Sequence, residues 1–244
     1  LSISGIITIL LLVLFKHFLK EEKRKNLVLK IIAITVVVIH FSPLYVEYLS
    51  KGSAEIESPM IFPIYPCNVM MWLLLITSSI KKKENTAYKI LSEFVAIGGL
   101  ICGVIGIVLN ENFLNNPTLL DYDVLAGMLS HSVMVLGCLY LIFSGFVKIR
   151  VFNVMSCLCG LLLFIVNGGI INLIYYLAKL DPCNSMYMLE VPFENLPWLT
   201  PYLMGFMALL LVFVVTVLYE QFAYKKENRW YSKLKQKFSK TKGE

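Results

Sequence analysis

Residues 63–66 read Pro-Ile-Tyr-Pro and are followed by Cys67 and Asn68, at the start of an apolar run that ends at Ile80. Proline is well tolerated at the first position of a helix, because the N–H that it lacks would have no partner there. We therefore expect a helix to begin at Pro66 and to carry Cys67 in its first turn, with residues 60–65 in less regular form. The positive end of a helix favours a thiolate, and its free N–H groups can stabilise an oxyanion. Cys67 is our candidate nucleophile.

Two histidines are candidate bases for this cysteine. Counted from the predicted outer ends of their segments, His40 lies about 12 Å deep, Cys67 about 10 Å and His131 about 13 Å. An imidazole that takes the thiol proton would leave a thiolate able to attack an acyl carbon. Either His40 or His131 could serve as that base. In the alternative interpretation each histidine is a hydrogen-bonded packing residue and Cys67 is a small apolar filler.

Further polar side chains are expected at about the same depth, where they would complete a pocket. Polar and ionisable groups are costly inside a membrane and are functional candidates for that reason. With His40, the predicted supporting cluster comprises Asn68, Ser130, Asn167, Asn172 and Tyr175. Asn167 and the two glycines after it would also permit close helix contact. Two histidines and a cysteine could instead ligate a metal, but no carboxylate or second cysteine is expected at that depth, so we predict neither a metal nor a cofactor.

The composition is that of a membrane protein. The 244 residues are 58% hydrophobic and 16% charged, with a mean hydropathy of +0.73. A soluble domain would be about half apolar and about a quarter charged. No Walker A, Rossmann, H-E-x-x-H or G-x-S-x-G pattern is present, which argues against nucleotide, zinc-peptidase and serine-hydrolase chemistry. The net charge of +6 does not indicate a nucleic-acid partner, because the basic residues follow a membrane topology.

Seven apolar segments predict an all-α integral membrane protein, a seven-transmembrane-helix bundle. Each segment reaches about 18 residues, the length that a spanning helix needs. They form a single domain over residues 1–224, because no polar stretch is long enough for a second one, and residues 225–244 form a basic tail. The predicted spans are residues 2–19, 27–48, 60–80, 88–109, 124–147, 151–177 and 198–224.

The lysines and arginines are concentrated at one end of these segments. All of them except Lys51 and Lys179 fall in or beside the first, third, fifth and last connections. The positive-inside rule places that end in the cytoplasm. We therefore predict an N-terminus outside, a cytoplasmic C-terminus, and a multi-pass protein of the plasma membrane. The bias towards Lys, Ile and Asn with few arginines indicates a bacterium.

The basic tail interleaves its lysines with Trp230, Tyr231 and Phe238. A segment of this kind can lie on the membrane surface and bind anionic lipids of the inner leaflet. In the alternative interpretation the tail is simply solvated and obeys the positive-inside rule.

From about His40 to Tyr224 the order of features resembles the YwaF-like family of bacterial integral membrane proteins, which is related to the eukaryotic transmembrane protein 164. The features are the Pro-x-x-Pro-Cys-Asn motif that ends at Asn68, a glycine-rich fourth segment, and an acidic-aromatic loop. They continue with Ser130-His131-Ser132, with Asn167-Gly168-Gly169-x-x-Asn172-x-x-Tyr175, and with a final segment containing Tyr219.

This resemblance implies a seven-helix lipid acyltransferase, in which Cys67 accepts a fatty acyl chain and passes it to a lysophospholipid while His131 acts as base. Members commonly have a histidine beside the cysteine, whereas here the neighbours are Pro66 and Asn68, so His40 or His131 would have to supply the base alone. Our first hypothesis is therefore acyl transfer between membrane phospholipids and lysophospholipids through an acyl-Cys67 intermediate. The second is a transporter or receptor-like protein whose polar cluster binds a small or lipidic ligand without reacting.

Overall fold

The computed structural model describes residues 2–53, 63–110, 117–191 and 196–240, and of residues 2, 3 and 236–240 only the backbone. In this part of the chain the secondary structure is entirely helical, which confirms the all-α class. Within the described ranges, seven apolar α-helices precede a short basic one: α1 Ser2–Phe18, α2 Glu22–Lys51, α3 Pro66–Ser79, α4 Thr86–Val108, α5 Tyr122–Phe143, α6 Asn153–Leu177, α7 Pro201–Ala223 and α8 Trp230–Lys240.

Five of these helices, α2 and α4 to α7, are long and apolar enough to cross a membrane, while α1 and α3 are shorter apolar helices. The surface of the bundle carries many large apolar side chains, among them Ile6, Leu162 and Phe206, which are each more than half exposed. A soluble monomer rarely exposes so much contiguous apolar surface. The chain is thus a membrane protein with several spanning helices.

The helix ends follow local signals and differ slightly from the predicted segments. Asn85, Asp121 and Thr200 cap α4, α5 and α7, each accepting a backbone N–H of the first turn with its side chain. The second segment was predicted as residues 27–48, but α2 begins at Glu22, because charged residues form helix readily and an acidic side chain suits a first turn. Gly52 ends it in the left-handed conformation, with φ 73°.

The third segment differs most from the prediction of residues 60–80. Tyr65 is extended, with φ −100° and ψ 154°, and α3 begins at Pro66. Residues 60–62 lie outside the described residues. The helix of residues 66–79 would be about 21 Å long, short of the hydrocarbon core of about 30 Å. Of the predicted span of residues 60–80, the part from Pro66 to Ser79 is thus confirmed as a helix.

Helix α5 is central in the bundle and packs most extensively against α2 and α4. The core between these helices and α3 includes Leu29, Met70, Val95 and Leu141, which are fully buried. Small residues allow the close contacts. A Cβ on Gly99 of α4, for example, would lie 2.6 Å from the sulfur of Cys138 on α5, so only glycine fits there.

The basic connections come together at one end of the bundle, which we call the basic end. Lys25 donates to the carbonyl of Ser144 at 3.1 Å, which ties the start of α2 to the end of α5. Lys83, between α3 and α4, is hydrogen-bonded to Asn26 and lies 3.6 Å over the centre of the Phe146 ring. Burial lowers the pKa of the Lys83 ammonium, and the nearby Glu22 carboxylate opposes that shift.

Candidate functional site

Cys67 occupies the predicted place in the first turn of α3. Tyr65 is the N-cap residue and Pro66 the first helical residue, which confirms the helix start expected from the sequence. The thiol of Cys67 donates to Oδ1 of Asn68 at 3.3 Å. Cys67 is partly buried against the main apolar core, and Asn68 is buried. The candidate nucleophile therefore sits at the rim of the packed core.

Residues 63–65, which we call the lead-in segment, precede α3, and of their carbonyls that of Tyr65 accepts from N–H groups of this helix, those of Asn68 and Val69. The carbonyl of Pro63 accepts from Nδ2 of Asn167 on α6 at 2.8 Å. The carbonyl of Ile64 accepts from the Met186 N–H at 2.9 Å and from the Ser185 hydroxyl at 3.0 Å. Irregular backbone within a membrane requires such protein partners. Asn167 thus supports the position from which α3 starts.

The connection between α6 and α7 covers the lead-in segment with a tight turn over residues 183–188, which we call the covering turn. Oδ1 of Asn172 accepts from the Ser185 N–H at 2.8 Å, and Nδ2 donates to the Ser185 carbonyl at 3.2 Å. The Tyr187 ring stacks on Tyr65, with 5.4 Å between the ring centres. Asn172 therefore bonds both backbone polar groups of the buried Ser185.

The backbone of the covering turn is strained. Three residues of the turn have a positive φ: 45° at Asn184, 55° at Met186 and 56° at Tyr187. This is the left-handed region, which residues other than glycine rarely adopt. Such conformations persist where surrounding contacts enforce them, and they are frequent at functional sites. Gly168 of α6 provides one of these contacts, because a Cβ there would lie 2.9 Å from Cγ of Met186.

His131 projects from α5 towards α4. Its Nδ1 lies 2.8 Å from the carbonyl of Gly127. A carbonyl oxygen can only accept, so Nδ1 carries the proton and Nε2 is the acceptor nitrogen of the neutral ring. The ring packs directly on Gly106 of α4. His40 lies on α2, which packs extensively against α5.

Two other members of the predicted cluster have different surroundings. The hydroxyl of Ser130 donates to the carbonyl of Gly127 at 2.9 Å, so it serves its own helix. The hydroxyl of Tyr175 is buried and has no hydrogen-bond partner among the described residues. An unpaired buried hydroxyl is costly. Tyr175 is thus the member of the cluster with an unused hydrogen-bonding group.

Cys67 and His131 are not hydrogen-bonded to each other, and α4 links their surroundings. Met70, one turn after Cys67 on α3, packs on Gly99 of α4, where a Cβ would lie 3.9 Å from the Met70 sulfur, and Gly106 touches the His131 ring. Positions 99 and 106 are two helical turns apart on the same face, about 10 Å along the axis. The helices that carry the candidate nucleophile and base therefore pack on one face of α4. Among the described residues no three His, Cys, Asp or Glu side chains are grouped as metal ligands.

Sequence reasoning missed a carboxylate within the apolar part of α4. Oε2 of Glu93 accepts a hydrogen bond from Oγ of Ser156 on α6 at 2.5 Å. The signal was present, since an acidic residue inside a predicted spanning segment is a functional candidate by itself. The contribution of Ser185 could not be found in this way, because a serine in a polar loop carries no sign of its distant partner.

The model of the TMEM164 family matches residues 1–219. No curated protein and no solved structure matches the chain. The relation to transmembrane protein 164 that the sequence motifs indicated is thereby confirmed. By the extent of this match, which includes every residue of the candidate site, the chain belongs to the TMEM164 family.

Proposed function

We propose that the protein is a membrane-embedded acyltransferase that moves a fatty acyl chain between phospholipids through a thioester on Cys67. The observation that supports the proposal is that α3, which carries Cys67 in its first turn, and the His131 ring pack on one face of α4. A cysteine in the first turn of a helix and a histidine whose Nε2 is the acceptor form the pair that nucleophilic acyl transfer requires.

In the first half-reaction Nε2 of His131 takes the proton of the Cys67 thiol. The thiolate attacks the ester carbonyl carbon of a phospholipid, and a new carbon–sulfur bond forms. The carbon–oxygen bond of the ester then breaks, and the leaving glycerol oxygen takes the proton from the imidazolium. The products are a lysophospholipid and an acyl-Cys67 thioester.

The second half-reaction reverses these roles for a different acceptor. The hydroxyl group of a lysophospholipid gives its proton to His131 and attacks the thioester carbonyl. The carbon–sulfur bond breaks, the sulfur recovers the proton, and a phospholipid with the transferred chain leaves. No oxidant, reductant or cofactor is needed, because the ester that is formed replaces the ester that is broken.

The proposal includes the placement of the protein in the membrane. All seven predicted spans cross the bilayer, the third of them over residues 60–80. The basic end faces the cytoplasm under the positive-inside rule, so the N-terminus is outside and Cys67 opens to the outer half of a bacterial plasma membrane. Phospholipids of that leaflet are then the substrates.

Intact-protein mass spectrometry tests the chemistry. Protein purified from membranes should carry a fatty-acyl mass adduct that hydroxylamine removes, because thioesters are labile to it. The Cys67→Ser variant should lack that adduct. Cys159→Ser, which changes an exposed cysteine on α6, is the matched control and should retain it. Absence of the adduct from wild type after incubation with phospholipids would overturn the proposal.

The second candidate function is non-catalytic binding of a lipidic ligand. The observation that favours it is the Cys67 thiol bonded to Asn68 rather than to a base, together with a Tyr175 hydroxyl that has no partner within the described part of the chain. Under this function Cys67→Ser would change little, because a hydroxyl can replace the thiol as donor. Retained lipid in native mass spectra of both wild type and Cys67→Ser, with no covalent adduct in either, would favour binding.

A further inference from the structure

A buried carboxylate at the end of α7 joins three parts of the basic end. Glu220 is only 1% exposed. Its Oε1 accepts from the Val151 N–H at 2.8 Å, and its Oε2 accepts from the Trp230 N–H at 2.8 Å. Val151 lies just before α6, and Trp230 is the first residue of α8. One side chain thus holds both the α5–α6 connection and the start of α8.

Two arginines fix the short stretch between α7 and α8. Arg229 donates from Nη2 to the Gln221 carbonyl at 2.7 Å and from Nε to the Tyr224 carbonyl at 3.0 Å. Arg150 donates from Nη1 to the Asn228 carbonyl at 3.0 Å, and its guanidinium lies 3.6 Å over the centre of the Tyr224 ring. Because these bonds are to the backbone, they set the point and direction at which α8 leaves the bundle.

Helix α8 itself is amphipathic. Trp230 and Leu234 are one turn apart and partly buried, while Lys233 and Lys235 are exposed. In the sequence the apolar spacing continues to Phe238, and Lys237 and Lys240 add further charge. A helix with an apolar stripe, a tryptophan and several lysines has the chemistry of a segment that lies in a membrane interface. It begins at the basic end, where the spanning helices leave the membrane.

We propose that α8 lies on the membrane surface at the basic end, with its apolar side in the headgroup boundary and its lysines on anionic phospholipid headgroups. Glu220 is the positioning residue that holds its first turn at this level. The partner is a bilayer surface rich in anionic phospholipid, because the lysines complement its charge. This inference is independent of the reaction at Cys67 and holds whichever compartment the basic end faces.

The fluorescence of Trp230 tests the proposal. The chain has three tryptophans, so Trp72→Phe with Trp198→Phe leaves Trp230 as the only one. The protein is reconstituted in phosphatidylcholine alone or mixed with phosphatidylglycerol, with brominated acyl chains as quencher. We expect stronger quenching in the anionic mixture and its decline at high salt. Lys233→Gln with Lys235→Gln should lower the ratio of docked to undocked helix by about 30-fold.

A matched pair of substitutions at the other end of the bundle separates the effect of the α8 charges from a general loss of structure. Lys51→Gln with Lys179→Gln removes the two basic residues of the opposite end and should leave Trp230 quenching unchanged. Equal quenching with and without phosphatidylglycerol, or no effect of the α8 lysines, would overturn the lipid proposal.

The positioning role is tested by Glu220→Gln and Arg229→Gln, followed by hydrogen exchange of residues 224–230. Both should raise the exchange rate there and weaken quenching. If exchange and quenching are unchanged in both variants, the positioning role of Glu220 is overturned. If Glu220→Gln does not fold, the exchange and quenching of Arg229→Gln decide the question.

Discussion

The imidazole of His131 lies against Gly106 so closely that a methyl group would not fit between them. A Cβ at position 106 would come within 2.9 Å of Cγ of the ring, and closer still to Cδ2 and Nε2. On its other side the ring donates to the carbonyl of Gly127. Two glycines on neighbouring helices therefore define the place of the candidate base, one by leaving space and one by accepting a hydrogen bond.

Gly106→Ala should displace this ring and destabilise the protein. Overpacking a tight contact costs about 1–3 kcal/mol, which exceeds the gain of about 1 kcal/mol from replacing glycine in a helix. We expect a lower midpoint of thermal unfolding in detergent and a slower acyl-adduct formation. Gly169→Ala is the control, because a Cβ there has no neighbour within 4 Å. Equal midpoints for the two variants would show that the ring contact is not restrictive.

The parts of this site that were predictable follow from local rules. Pro66 starts α3 because a proline suits the first helical position, and Cys67 is placed by that fact alone. The matching depths of His40 and His131 stay a prediction. These inferences need only the helical rise and the positions of helix ends.

The contacts between distant segments were not predictable in the same way. Asn167 and Asn172 were expected to face a pocket, but their amides pair with Pro63 and with the Ser185 backbone. Sequence spacing shows which residues share a helix face, and it does not show which loop returns to that face. The covering turn depends on left-handed residues such as Met186, for which the sequence gives no signal.

Asn172→Ala should loosen the covering turn. It removes the acceptor of the buried Ser185 N–H, and an unsatisfied buried group costs about 1–3 kcal/mol, while the Ser185 carbonyl keeps the Met188 N–H as a donor. Faster hydrogen exchange and easier proteolysis are expected at residues 183–188. Asn172→Asp keeps an acceptor for the Ser185 N–H and should give a smaller effect. If Asn172→Ala left exchange in the turn unchanged, the stacking of Tyr187 on Tyr65 would be the dominant restraint instead.

Ser156→Ala should destabilise the contact between α4 and α6. The carboxyl group of Glu93 would lose its hydroxyl donor inside the membrane, whereas the double variant Glu93→Leu with Ser156→Ala removes both polar partners and should recover much of the loss. Unfolding midpoints of the two single variants and the double variant measure this coupling. Ser132→Ala is the control, since that hydroxyl bonds only the Met128 carbonyl of its own helix. Additive losses would contradict the expected coupling of Glu93 with Ser156.

His131→Leu should separate the chemistry from the fold. Leucine has a similar volume and suits an apolar membrane interior, so we expect a monodisperse protein with a stability within about 1.5 kcal/mol of wild type. The loss of the proton acceptor should slow acyl-Cys67 formation about 100-fold or more, measured as the adduct mass against time. His40→Leu, made in parallel, should have a smaller effect on that rate. A wild-type rate in His131→Leu together with a slow rate in His40→Leu would transfer the role of base to His40. Aggregation of His131→Leu would instead show that the bond from Nδ1 to Gly127 is structural.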